Sequence, residues 1–228
     1  MKFKYLLMPA LLLSLTSCES DEQNAINAAQ ICLNNATAAT AGNCKNIVAG
    51  HTSTDSYAIR CSADFLAQGL TATQIATALE RRDVTGTTGN SLLGMMGVMT
   101  FDSATAISTA VTDCNLSAVT GFIMVSQMAK VATDMALAAG SGVTVTASTK
   151  PTQAEMEAAL TNFVATANDD SKTSVGAAAS TVYTDYCASG TNTSKVCTTI
   201  GTAITTAGGA TATSLAIGNQ LLAQLQSN

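Results

Sequence analysis

Apolar positions along most of this chain recur at the three-to-four-residue spacing of an amphipathic helix. Met124, Met128, Val131, Met135 and Ala138 form one such row, with Gln127, Lys130 and Asp134 on the opposite side. Met156, Leu160, Phe163 and Ala167 form a second, Val175, Ala179, Val182 and Tyr186 a third, and Ile217, Leu221 and Leu225 a fourth. Each row predicts a helix that buries one face against its neighbours. The pattern gives helices near 20–34, 43–49, 54–68, 72–82, 90–100, 103–114, 117–139, 152–167, 172–188, 194–206 and 211–226. Punctuation agrees with these limits. Ser20 with Gln23, and Thr71 with Gln74, have the spacing of a capping box. Gly69 before Leu70 suits a left-handed helix end, and Pro151 sits where a missing amide is harmless.

Two stretches break the period. Ser141 to Thr149 alternates polar and β-branched residues, which fits a short strand or an exposed connector, and Val84 to Asn90 is rich in Gly and Thr. The abundant threonine keeps a β-rich fold open as an alternative, because Thr is a mediocre helix former. The favoured fold is all-α: a compact stack of short Ala/Thr-rich helices and helical hairpins. Residues 141–150 then connect an N-terminal part, 18–140, to a C-terminal part, 151–228.

The first seventeen residues stand apart. Lys2 and Lys4 precede an apolar stretch from Tyr5 to Leu15, and Leu15-Thr16-Ser17-Cys18 closes it. A charged start and about ten apolar residues match a secretory signal and are too short to span a bilayer. The closing tetrapeptide resembles the lipobox of bacterial lipoproteins. That resemblance covers about the first eighteen residues only. It implies cleavage after Ser17, diacylglycerol on Cys18 and attachment to a membrane, and Glu19 after the cysteine points to the outer membrane.

Export changes how the remaining cysteines are read. Cys32, Cys44, Cys61, Cys114, Cys187 and Cys197 form an even set, which in an exported chain reads as three disulfides among fifteen connectivities. The short spacings favour Cys32–Cys44 and Cys187–Cys197, leaving Cys61–Cys114. Each bridge is worth about 3 to 4 kcal/mol in the chain-entropy model. That matters here, since the 211 residues after the signal are dense in small side chains that bury little area each. Without the signal's two lysines, eight basic residues face fifteen acidic ones, a net charge of −7. Such a surface disfavours nucleic acid and anionic lipid as partners.

Candidate chemistry is sparse. His51 is the only histidine, and it falls in a Gly-His-Thr turn with no recognisable nucleophile motif elsewhere. Asn168-Asp169-Asp170-Ser171 lacks calcium-loop spacing and reads as a helix cap, and Glu155 and Glu157 point apart on one helix. No cofactor is implied. Asp55, Asp64, Asp102 and Asp113 are the carboxylates that a Cys61–Cys114 bridge could gather into a hydrolytic pair. Leu92, Met95, Met96 and Met99 belong to the most apolar stretch after the signal. They fit a core helix, a partner-binding or membrane-contacting surface, or a thioether copper site. The leading expectation is a non-catalytic, lipid-anchored envelope protein that binds another envelope or surface protein.

Overall fold

The computed structural model describes residues 21–71, 73–74, 91–140, 145–188 and 194–227. Cys18 and the segment resembling a lipobox, most of the 72–82 segment, the 84–90 loop and residues 141–144 lie outside the described residues. Among the described residues the chain is helical and contains no strand. Ten α-helices follow in order: α1 (Asp21–Asn35), α2 (Ala41–Ile47), α3 (Thr54–Ala67), α4 (Ser91–Val98), α5 (Ala104–Leu116), α6 (Thr120–Ala138), α7 (Gln153–Thr166), α8 (Asp169–Val182), α9 (Lys195–Ala207) and α10 (Ser214–Ser227). A π-helical turn, Tyr183–Cys187, extends α8.

Threonine is reconciled with helix by its own hydroxyl. Thr109, Thr112, Thr161, Thr166, Thr181, Thr198, Thr202 and Thr205 each donate to the carbonyl four residues earlier. The polar end of a residue that would compete with the backbone is thereby absorbed by the helix surface. Caps fix the ends. Ser53, Ser103, Asn168 and Ser194 accept from amides in the first turns of α3, α5, α8 and α9. Thr152 and Glu155 form a full capping box that opens α7. Asn168 starts α8 earlier than its apolar row predicts, and Asp169 and Asp170 sit in that first turn, where negative charge is favourable. Gly69 ends the α3 segment at φ +75°, with Leu70 N–H donating back to Phe65 O at 3.0 Å.

Helix α6 is the hub. Its predicted row is buried from Met124 to Met135, but Gln127, Ser126 and Thr133 are buried as well, while Ala138 is exposed. The helix packs against α4, α5, α7 and α8, and between its ends only a narrow strip at Lys130 and Asp134 reaches solvent. Buried Thr133 shows how its polarity is satisfied: Oγ1 donates to Ala129 O at 2.7 Å and accepts from Phe101 N–H at 2.9 Å.

One core cluster runs from Cys61 to Leu225, drawing residues from both sides of the 141–150 connector. The N-terminal and C-terminal parts therefore share a core. The described part of the connector, 145–150, is packed into the body: Lys150 Nζ donates to Thr100 O, and Ala147 O lies 2.0 Å from where a Cβ on Gly69 would stand. Burial lowers the Lys150 amine to about 8, against the attraction of Asp102. A second, smaller cluster of Ile26, Ala29, Val48 and Ile59 holds α1, α2 and α3 together.

The bridges are Cys32–Cys44, Cys61–Cys114 and Cys187–Cys197, the same pairs that the spacing favours. The first staples α1 to α2, and the last joins the π turn to α9. The second ties α3 to α5 across 53 positions, fastening the three-helix N-terminal unit to the main core.

Candidate functional site

Among the described residues, three charged side chains meet where α2, α3 and α5 come together. Lys45 follows Cys44 in the last turn of α2, Asp64 stands one helical turn after Cys61 on α3, and Asp113 immediately precedes Cys114 on α5. Each charged side chain is thus positioned by a bridged cysteine. Joining Cys61 to Cys114 at a Cα separation of 4.8 Å places both aspartates beside Lys45. Lys45 Nζ is 2.7 Å from Asp64 Oδ1, 2.8 Å from Asp64 Oδ2 and 2.6 Å from Asp113 Oδ2. The side chains of Asp64 and Asp113 are 16% and 10% exposed, so solvent screens them weakly.

Two carboxylates around one ammonium leave an excess negative charge in a half-dry place. Burial is the main force raising the Asp64 pKa, and the like charge of Asp113 adds to it. Together they outweigh the pull of Lys45 and push the carboxyl up to about 6. Burial also opposes the charge on Lys45, but its bonds to Asp113 and Asp64 prevail and hold the amine above its ordinary value.

Asp64 therefore favours folding below about pH 4, and that contribution is lost as pH rises through about 6. Glu22 and Glu155 act in the opposite sense. Hydrogen bonds from the Ser53 hydroxyl and amide, with a further bond from Ser56, lower the pKa of Glu22, and bonds from Thr152 lower that of Glu155. Their contribution is present above about 4.5 and lost as pH falls. Asp64→Asn is accordingly expected to compare better with the parent at pH 7 than at pH 4.5, read as urea midpoints. Parallel pH profiles for the two proteins would refute the assignment. Lys45→Met, which strands both carboxylates, is expected to cost about 1 to 3 kcal/mol at pH 7 and less at pH 5.

Of the four aspartates singled out in the sequence, the fold thus joins Asp64 and Asp113. It leaves Asp55 and Asp102 in solvent. The joined pair closes on Lys45 as an ion group. His51 lies half-buried in the α2–α3 loop, and its carbonyl accepts from Arg60. Arg60, which no motif in the sequence flags, also donates to Val48 O at 2.6 Å and Ala49 O at 2.9 Å. It stacks over Tyr57 at 4.8 Å and fastens the end of α2 onto α3.

Of the readings open to Leu92, Met95, Met96 and Met99, the fold takes the core helix and corrects the partner-binding surface. These side chains are 7%, 2%, 4% and 0% exposed and belong to the main core. The glycines of α4 explain the burial. A Cβ on Gly97 would stand 2.6 Å from Pro151 O, and one on Gly94 would stand 3.4 Å from the Gln153 amide oxygen. Close approach on that side lets α7 cover the helix, and the thioethers serve as packing. Leu92 and Met96 line a cavity of about 40 Å³ whose exposed lining is wholly apolar, bounded elsewhere by Met128, Val182, Ile200 and Leu225.

No protein-family model, curated protein or solved structure matches the chain. Among the described residues there is no group of three His, Cys, Asp or Glu side chains placed to hold a metal ion. No described helix is long and apolar enough to cross a membrane.

Proposed function

We propose that this chain is an exported lipoprotein, anchored through Cys18 to the outer membrane, that works in the envelope as a non-catalytic binding or assembly scaffold. The observation that carries the reading is the cysteine inventory. Six of seven cysteines are paired in the fold, and the seventh is the one in the lipobox. Stable pairing of every structural cysteine fits an oxidising compartment. The remaining thiol stands three residues before α1, at a distance that would tether the stapled N-terminal unit close to a bilayer.

The scaffold reading draws on two further features. The Lys45–Asp64–Asp113 cluster links three helices in the manner of a structural ion group. Ile31 on α1 is 65% exposed beside the Cys32–Cys44 staple, and it is the side chain we assign to contact with a protein partner. The acidic balance disfavours nucleic acid.

Mass spectrometry of the protein purified from membranes is expected to show an N-terminal acylated Cys18, loss of residues 1–17 and no free thiol. Cys18→Ser is expected to leave the precursor unacylated and uncleaved. An unacylated N-terminus, or a reduced protein in the cytosol, would overturn the proposal. Cross-linking on intact cells, with Ile31→Asp as the comparison, tests the scaffold role. Capture of one envelope protein that is lost in the variant is the expected result, and capture of none would count against it.

A further inference from the structure

The π turn and α9 enclose an open concavity of about 450 Å³, a size common among small-ligand sites. One wall is the Tyr183 ring, half-exposed. The ring lies against α9 because residue 201 is glycine: a Cβ there would stand 3.1 Å from Tyr183 Cε2. The Cys187–Cys197 bridge and Thr198, Thr202, Thr205 and Thr206 complete the lining. Among the described residues no charged side chain lines the space.

The hydroxyls there have a defined polarity. Thr198 donates to Ser194 O at 3.2 Å, Thr202 to Thr198 O at 2.8 Å and Thr205 to Gly201 O at 2.8 Å. With their protons committed to the backbone, these oxygens offer lone pairs outward. A complementary ligand brings hydroxyl or amide donors on one side, an apolar face for the tyrosine ring on the other, and no charge. The site is also preformed: a covalent bridge ties the π turn to α9, and Ala188 N–H closes the widened turn onto Tyr183 O at 2.8 Å. Turns of this type recur at functional sites, and preorganisation reduces the cost of binding.

We propose that this concavity binds a neutral glycan, with a pyranose ring stacked on Tyr183 and its hydroxyls donating to the threonine oxygens. The inference stands apart from the lipid anchor and the scaffold role, since it uses only the α8–α9 geometry. Such a ligand could be the cell's own N-acetylated wall glycan or an external hexose polymer, so the test carries both.

Amide and tyrosine-ring NMR shifts of the full-length oxidised protein would be followed during titration with N,N′-diacetylchitobiose and, separately, cellobiose. Saturable shifts at Thr202, Thr205 and the Tyr183 ring are expected with at least one sugar, and the sugar that binds identifies the source. Tyr183→Ala is expected to abolish the shifts. Thr202 is exposed, so Thr202→Val preserves the fold and is expected to weaken binding about three- to tenfold through one lost acceptor. Absence of saturable shifts with either sugar, at concentrations that would fill a millimolar site, overturns the proposal. So does binding of undiminished strength in Thr202→Val.

Discussion

Gly176→Ala is expected to lose about 2 to 4 kcal/mol of stability, although alanine is the better helix former by about 1 kcal/mol. Helices α8 and α10 make the most extensive contact between elements of the fold, and they touch backbone to backbone at two reciprocal points. A Cβ on Gly176 would stand 1.8 Å from Ser214 O, and one on Gly218 would stand 2.0 Å from Lys172 O. Both obstacles are main-chain carbonyls, which cannot swing aside as a side-chain tip can. The helices would have to separate, and Val175, Ala179, Ile217 and Leu221 would lose contacts along the seam. Dense packing makes such a shift felt through the core. Chemical denaturation measures the loss. The control is Gly121→Ala in the first turn of α6, where nothing lies within 4 Å of the new methyl group and the change is expected to be neutral or stabilising. Equal stability for Gly176→Ala and the parent would contradict the close crossing.

Removing the Cys61–Cys114 bridge by paired alanine substitution is expected to cost about 4 kcal/mol, more than losing either of the other two. Its loop spans 53 positions against 12 and 10, so it restrains the unfolded chain most. Both sulfurs are also fully buried, and their loss leaves a void in the core. The bridge holds the N-terminal unit and the Lys45–Asp64–Asp113 cluster in register. Local loosening of α1 to α3 is therefore expected before global unfolding, read as faster hydrogen exchange in residues 21–67 than in α6. A variant that loses no more than the Cys32–Cys44 deletion, with unchanged exchange, would show that packing alone fastens this unit.

Helix content was legible because buried faces leave a periodic trace. The rows at Met156 and Ile217 are buried as their spacing implies, and Gly69-Leu70 ends its helix as the residue pair implies. Pairing of the outer cysteines could also be read, since short loops between helices leave few partners within reach. The Met-rich α4 was ambiguous for a physical reason. A helix apolar all round has no face to reveal its direction, so composition cannot separate core from contact surface. Asp64 and Asp113 could be named as candidates, but nothing in the sequence signals Lys45 as their partner. Neutralisation of the pair depends on α2 docking beside both helices. The groove at Tyr183 was likewise hidden, because its threonines are indistinguishable in sequence from the many others.

The amino-acid order by itself signalled the described helices, most of their caps and the cysteine pairs, which leave a trace in local spacing and short motifs. Only the tertiary structure decided that the two halves share one core, that the thioethers point inward and that two aspartates clasp a lysine. These outcomes depend on which helix faces meet. Glycine contacts such as Gly176 against Gly218 set that choice by allowing some backbones to approach where a side chain would hold them apart.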